Sequence, residues 1–249
     1  MSDTLQRQLA VANRILATEG ILKVFGHVSV RHPDGDKILV SRSRSPALVT
    51  EDDVLTMSLD GEVLDDTDAR PYGETVIHRA IYRAREDVNA VVHHHAESIL
   101  PFTVTDVPFK PAFHMAALFA EGVPKFGDYD DAYGRLVVGE AEGDRMAANL
   151  GDKRAQLLEG HGANVTGATL REAVIATVYF VMNGTYQQHA EWLGAPDYYE
   201  GPQASIDAIV EDVILADVAL DRMWEYLLSR VDGDVGATDP AAWSGVDAP

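Results

Sequence analysis

The chain has 249 residues, of which 40 are acidic and 20 are basic, so its formal net charge is −20. Such an acidic chain is not expected to bind nucleic acid, because neutralising phosphates requires a basic face. It contains no cysteine, no apolar run of membrane-spanning length and no signal-peptide pattern at its start. These features predict a cytoplasmic protein without membrane or nucleic-acid partners, in which any metal ion is held by histidine and carboxylate side chains.

The first half of the chain predicts a helix, several short strands with tight turns, and a second helix that leads into a strand. An amphipathic helix is expected over residues 5–18, with an apolar stripe on one face and Gly20 after its end. Strands are predicted at 24–30, 37–41, 54–58 and 62–64, followed by a helix at 72–85 and a strand at 90–95.

Strands and helices continue to alternate in the second half. Helices are predicted at 97–103, 144–149, 170 to about 186 or beyond, and 205–230, with strands at 155–158 and 163–165. Residues 112–119 stay open between strand and helix, whereas Thr169 and Glu172 form a capping box. The acidic segment 232–249 is predicted to be disordered. Residues 1–231 then form one α/β domain with a mixed sheet.

Three histidines follow directly on the apolar, strand-like residues Ala90 to Val92. Because alternate side chains of a strand share a face, His93 and His95 are expected to point one way and His94 the other. Two imidazoles on one face are the start of a metal site. A solvated histidine cluster at a strand end is the alternative interpretation.

His161 lies between Gly160 and Gly162, immediately after a predicted strand. The flanking glycines permit a tight turn with positive φ, which suits either a metal ligand or a solvated turn histidine. Three imidazoles that leave a coordination position open are typical of a catalytic zinc-type site.

Five further residues are candidates for chemistry. Glu74 and His78 share a helix face; the helix dipole also explains a carboxylate in the first turn, and the apolar neighbours of His78 favour a core or interface role. Arg42 and Arg44 form a small basic island, suited to binding a carboxylate or to surface salt bridges. His114 lies in apolar surroundings, which are more typical of a core histidine.

These segments, in this order, resemble the class II aldolase/adducin family from about Leu5 to Gln187. The resemblance is carried by Gly26-His27-Val28-Ser29-Val30-Arg31, Glu74-Thr75-Val76-Ile77-His78, Ala90-Val91-Val92-His93-His94-His95, and Gly160-His161-Gly162 with Glu172-Ala173 downstream. It implies a three-layer α/β/α sandwich with a mainly antiparallel central sheet, formed by residues 1–231 as one catalytic domain. It also implies a homotetramer with active sites at subunit interfaces.

The same resemblance implies roles for the site residues. A divalent metal ion, Zn or Mn with Co also compatible, would be held by His93, His95 and His161. Glu74 falls on the family's acid/base glutamate, which can also touch the metal in the resting enzyme.

The chain departs from the family's sugar-phosphate aldolases at three phosphate-binding elements. Gly26-His27 replaces a Gly-Asn turn, Arg42-Ser43 replaces a Thr/Ser-Gly turn, and Tyr72-Gly73 replaces a Ser-Ser pair. The tyrosine that follows the histidine matching His114 in fuculose-phosphate aldolases is Met115 here. These departures are similar to the family's decarboxylase branch, which acts on hydroxylated aromatic, pyridine or muconic-semialdehyde carboxylic acids.

Resemblance to this branch implies a metal-dependent decarboxylase, a carbon–carbon lyase, acting on a small carboxylic acid. The expected substrate-binding residues are His27, Ser29, Arg42, Arg44 and His114. Glu74, or else His27 or His114, would return a proton to the substrate carbon. The alternative is an aldolase for a small hydroxy-carbonyl substrate. An adducin-like module without metal is disfavoured by the retained histidines, and a ribulose-phosphate-type epimerase by the lost phosphate elements.

The types of charged residue in the chain predict adaptation to high salt. Aspartate outnumbers glutamate and lysine is scarce beside arginine, and concentrated salt screens a carboxylate-rich surface. We expect the melting temperature to rise with added KCl. A melting temperature that stays level would indicate ordinary acidic composition instead.

Overall fold

The computed structural model describes residues 2–130, 132–194 and 196–231. The segment 232–249, predicted above to be disordered, lies outside the described residues. Within them, seven strands form one sheet in the order β3–β2–β1–β4–β7–β6–β5. The strands are β1 His27–Arg31, β2 Lys37–Ser41, β3 Val54–Ser58, β4 Ala90–His94, β5 Lys125–Phe126, β6 Ala155–Leu158 and β7 Gly162–Gly167. Neighbouring strands are antiparallel except for the parallel pair β5–β6.

Seven α-helical segments pack around this sheet in the described part of the chain. They are α1 Ser2–Thr18, α2 Thr75–Ala84, α3 Leu100–Thr103, α4 Glu140–Leu150, α5 Leu170–Leu193, α6 Gln203–Ile209 and α7 Asp217–Ser229. The predicted capping box is confirmed in part, because the Thr169 side chain accepts a hydrogen bond from the Glu172 backbone N–H at 3.0 Å. Among the residues described, no helix is both long and apolar enough to cross a membrane.

The sheet is covered on both faces, as alternation along β4 shows. Val92 belongs to the larger apolar core, which contains residues of α1, α5 and α7, whereas Val91 belongs to a second core with residues of α2 and α4. Both valines are fully buried. Strands buried on two faces carry continuous apolar runs, which explains the sequence before the three histidines. The fold is therefore the α/β/α sandwich with a mainly antiparallel sheet that the resemblance implied.

The structure corrects several element boundaries. The strand predicted at 24–30 is β1 and begins only at His27, after the exposed Val24 and Phe25. Residues 62–64 form no strand, and Val63 makes a single isolated bridge to Met57. The ambiguous segment 112–119 contains a 3₁₀ helix, His114–Phe119.

The single helix predicted at 205–230 is wrong. The chain there forms α6, then a π-helical turn over Val210–Ile214, then α7. With the helix broken in this way, Ile206, Ile214 and Leu220 are all buried in one core. The periodicity of the sequence does not reveal this break. The two-residue strand β5 is absent from the prediction because so short an element carries no alternation pattern.

Candidate metal centre

Four side chains from three parts of the sandwich converge on one point. Glu74, His93, His95 and His161 each offer one ligand atom, and these atoms all lie within 4.8 Å of one another. His93 is in β4, His95 follows directly after it, His161 is in the turn between β6 and β7, and Glu74 is the N-cap residue of α2. The strand alternation predicted from the sequence is confirmed, because His94 points to the opposite face, where its ring lies 5.9 Å from that of Phe180.

The tight turn around His161 brings its imidazole over the end of β4. Gly160 has a φ of 63°, and a Cβ at Gly162 would lie 2.4 Å from the His94 carbonyl oxygen. Only glycine permits that conformation and that close approach without strain. The His161 ring consequently lies 4.9 Å from the rings of both His93 and His95.

The charge state of the histidines suits a cation. Burial, followed by the neighbouring histidines, holds the pKa of His93 well below its ordinary value, and burial lowers the pKa of His161 to about 4. Both imidazoles are therefore neutral at pH 7 and present lone pairs. Both ring nitrogens of His161 are buried without a hydrogen-bond partner in the described part of the chain. His93 Nε2 and His95 Nε2 lie 2.9 Å apart.

The donor set therefore fits a divalent metal ion. Nitrogen donors with one carboxylate oxygen suit several ions of the Zn, Mn and Co group. The partnerless ring of His161 is explained if a ligand bond takes the place of the missing hydrogen bond.

Glu74 lies beside this histidine group in an unusual ionisation state. Its Oε1 is 3.6 Å from His161 Nε2 and accepts a hydrogen bond from the Val137 backbone N–H at 3.3 Å. Burial raises the pKa of Glu74 to about 7, the Glu142 charge adds to the rise, and the Val137 bond opposes it. The carboxyl group can therefore hold or release a proton near neutral pH.

His27 adjoins the centre, and a buried hydrogen-bonded chain supports it from behind. Its ring stacks at 5.0 Å on that of His93, and its Nδ1 lies 2.6 Å from His78 Nε2. His78 Nδ1 lies 2.6 Å from Ser29 Oγ, which lies 2.9 Å from the Tyr82 hydroxyl. His78 is thus the core histidine that its neighbours favoured. The fully buried hydroxyl of Ser29 is engaged by His78 and Tyr82, and its expected contact with a substrate stays a prediction.

Arg42 and Arg44 lie outside the ligand group and contact the same carboxylate. Arg42 Nε is 2.5 Å from Asp53 Oδ1, and Arg44 Nη1 is 2.7 Å from Asp53 Oδ2. Burial alone would raise the pKa of Asp53, but bonds from Arg44, Thr50 and Arg42 hold it well below its ordinary value.

Tyr72 connects this basic pair to the centre. Its hydroxyl donates to the Arg44 carbonyl at 2.6 Å, and its ring lies 4.6 Å from that of His27. The ring of Tyr72 therefore lies between His27 and the two arginines, which are expected to bind the substrate.

His114 is not brought to the centre within this chain. It begins the 3₁₀ helix His114–Phe119, and its side chain is exposed. The core position expected from its apolar neighbours is therefore corrected. Its ring lies 6.0 Å from that of Phe113.

The sequence analysis missed two residues of this region, Tyr129 and Asn164. The Tyr129 hydroxyl is buried and has no hydrogen-bond partner among the residues described. Burial raises the pKa of Tyr129, and the charges of Glu74 and Glu142 contribute to the rise. No periodicity marks its loop, so no sequence signal was available. Asn164 Oδ1 lies 2.8 Å from His93 Nδ1, a contact that only the register of β4 and β7 creates.

The fold and the cluster together are those of an α/β protein with a histidine-rich group at one end of its sheet that could bind a cation. Residues 7–183 match the family described as Class II Aldolase and Adducin N-terminal domain. Because this match spans well over half of its length, the chain belongs to the class II aldolase/adducin family. The family uses a divalent metal, and the four-residue cluster is a group that could bind one.

Known relatives agree with this membership. Decarboxylase tropJ of Talaromyces stipitatus is 28% identical over 240 residues, covering 88% of this chain and 90% of that protein. The 3,4-dihydroxyphthalate decarboxylase of Arthrobacter keyseri is 29% identical over 186 residues, covering 68% and 72%. The structure of L-fuculose 1-phosphate aldolase from Glaciozyma antarctica shares the fold with a TM-score of 0.76 at 22% identity, covering 92% of this chain and 88% of that chain. The chain is accordingly a carbon–carbon lyase of this family.

The raised pKa of Glu74 predicts a pH-dependent effect of its removal in metal-free protein. The folded-state pKa of about 7 exceeds the ordinary value of 4.5. Between pH 4.5 and pH 7, the folded chain therefore holds a proton on Glu74 that the unfolded chain has released. The associated stability is present below pH 4.5 and is lost as pH rises through 7. We expect Glu74→Gln to stabilise the metal-free protein by about 2 kcal/mol more at pH 8 than at pH 5.

Denaturant unfolding of the metal-free wild type and variant at both pH values measures this difference. Glu62→Gln, at an exposed position, is the matched control and should change little between the two. An equal effect of Glu74→Gln at pH 5 and pH 8 would contradict the assigned ionisation state.

Proposed function

We propose that this protein is a divalent-metal-dependent decarboxylase acting on a hydroxylated aromatic or related carboxylic acid. His93, His95 and His161 hold the metal, and Glu74 is the catalytic acid. The observation that carries the proposal is the convergence of four possible ligand atoms within 4.8 Å, one of them on the His161 ring, whose buried nitrogens have no hydrogen-bond partner among the described residues. Two of the relatives support the reaction type by name, and one of them acts on 3,4-dihydroxyphthalate, a hydroxylated aromatic dicarboxylate.

Glu74 is suited to the proton transfer that completes decarboxylation. Loss of carbon dioxide leaves an electron pair that must be delocalised towards a neighbouring oxygen. A bound divalent cation supplies Lewis-acid stabilisation of that charge. Burial raises the pKa of Glu74 to about 7 in the metal-free chain, and in this proposal the buried carboxyl group delivers a proton from a carboxyl oxygen to the substrate carbon.

His27, Arg42 and Arg44 orient the substrate in this proposal. With Nδ1 engaged by His78, His27 retains Nε2 for a substrate oxygen. The two guanidinium groups contact one carboxylate, which leaves a net positive charge for a second, non-reacting substrate carboxylate. The exposed His114 would complete the site from a neighbouring subunit of a homotetramer. We also propose that the protein is cytoplasmic and adapted to high salt. Its metal ion in this proposal is Zn, Mn or Co.

An aldolase for a small hydroxy-carbonyl substrate is the second candidate. Retro-aldol cleavage also leaves an electron pair on a carbon next to a carbonyl group. The same three imidazoles and one carboxyl group would therefore suit that reaction. The shared fold with an L-fuculose 1-phosphate aldolase keeps this candidate open. The product separates the two reactions, since one releases carbon dioxide and the other an aldehyde.

The decarboxylase proposal predicts metal-dependent release of carbon dioxide. Chelation should abolish release from ortho-hydroxylated aromatic carboxylic acids, and Zn²⁺, Mn²⁺ or Co²⁺ should restore it. His161→Ala should lower both bound metal and turnover by more than about 100-fold, because one ligand is lost. His189→Ala, at an exposed position on α5, is the control and should change neither. Full turnover after chelation would overturn the proposal, and aldehyde release without carbon dioxide would favour the aldolase.

The proposed role of the arginines predicts a selective loss of substrate binding. Arg44→Ala should raise KM for a hydroxylated aromatic dicarboxylate by about 10-fold to 100-fold, because a charged hydrogen bond is lost. The KM of the matching monocarboxylate should change much less. Arg222→Ala, exposed on α7, should change neither. Equal effects of Arg44→Ala on both substrates would contradict recognition of a second carboxylate.

A further inference from the structure

Three buried polar side chains lie in one row across adjacent strands behind the metal centre. The ladder register sets His93 of β4 opposite Asn164 of β7, and Asn164 opposite Gln156 of β6. Directly opposed residues share a face of the sheet, and all three side chains are fully buried. The row therefore starts at the centre and crosses the face of the sheet that α4 covers, where Gln156 contacts α4.

A backbone carbonyl of α4 determines the direction of the hydrogen bonds in this row. Gln156 Nε2 lies 2.8 Å from the Met146 carbonyl oxygen and 2.8 Å from Asn149 Oδ1. Because a carbonyl oxygen can only accept, the Gln156 amide must present Nε2 to it and turn Oε1 towards Asn164. Asn164 Nδ2 then donates to Gln156 Oε1 at 3.3 Å.

The same direction passes to the imidazole. With Nδ2 turned to Gln156, Asn164 directs Oδ1 to His93 Nδ1 at 2.8 Å. Since Oδ1 only accepts, Nδ1 must carry the hydrogen of the neutral ring. The lone pair of His93 therefore lies on Nε2, the atom 2.9 Å from His95 Nε2 inside the cluster.

We propose that Asn164 and Gln156 are positioning residues that hold His93 in the tautomer required to bind a divalent cation through Nε2. This inference rests on the proposed metal centre, and it adds the groups that prepare one ligand before the cation arrives. Without the acceptor at Asn164, the ring proton could shift to Nε2 and face the other ligands. Hydrogen bonds of this kind raise ligand basicity and orient the ring.

The test measures metal affinity and the His93 tautomer in the full chain. Asn164→Leu removes the acceptor, and Zn²⁺ or Mn²⁺ titration should show about 10-fold to 100-fold weaker binding. In the metal-free protein, ¹⁵N NMR of the imidazoles should show His93 changing from the Nδ1–H form to a mixture. Asn164→Asp keeps an acceptor and should retain the Nδ1–H form.

Two further variants separate positioning from general destabilisation. Gln156→Met keeps the bulk of the buried side chain but frees the Asn164 amide, so an intermediate loss of affinity is expected. Asn149→Ala is the control, because Met146 still directs the Gln156 amide, and it should leave affinity and tautomer unchanged. If Asn164→Leu does not fold, Gln156→Met decides the question by the same two measurements.

The inference would be overturned if Asn164→Leu kept both the wild-type metal affinity and the wild-type Nδ1–H signal. If Asn164→Leu does not fold, the same result for Gln156→Met would overturn it. If the wild type binds no divalent cation, the proposed metal centre fails instead. The NMR measurement on metal-free protein still tests whether Asn164 sets the tautomer, so the two failures are distinguishable.

Discussion

The register between β4 and β7 is the constraint on which the candidate site depends. It sets His93 opposite Asn164 and brings the turn that carries His161 to the end of β4. A shift of one residue would turn His93 to the opposite face of the sheet. Close packing at Gly162, where a Cβ would lie 2.4 Å from the His94 carbonyl oxygen, requires glycine in this arrangement. The candidate metal centre is thus a consequence of strand pairing as much as of the identity of its four side chains.

Burial is the second physical theme, because it keeps the site's histidines uncharged. Burial lowers the pKa of His78 to about 3, and it lowers the pKa of His161 to about 4. Burial has the opposite sign for a carboxyl group and raises the pKa of Glu74 to about 7. One environment therefore prepares neutral nitrogen donors and a carboxyl group that exchanges its proton near neutral pH.

The surroundings of the centre distinguish this chain from the sugar-phosphate aldolases it resembles. His27 stands where their phosphate turn has asparagine, and the structure gives it a ring contact with His93 and a buried partner in His78. Arg42 and Arg44 are tied to Asp53 and held beside Tyr72. These contacts are the basis for proposing a carboxylic acid in place of a sugar phosphate as the substrate.

The amino-acid sequence by itself determined the elements with strong local signals and the order of the motifs. The strands at 37–41, 54–58 and 155–158, the opposed directions of His93 and His94, and the capped start of α5 all follow from alternation and capping, which act over a few residues. The family resemblance supplied the expected ligand set and the sandwich fold.

Only the tertiary structure decided which polar groups meet across strands. It engaged Ser29 with His78 and Tyr82, paired both arginines with Asp53, and set Asn164 behind His93. It also divided the last predicted helix so that its apolar residues reach one core. Such contacts join residues far apart in the chain, and their partners are chosen by sheet register and core packing, which local periodicity does not encode.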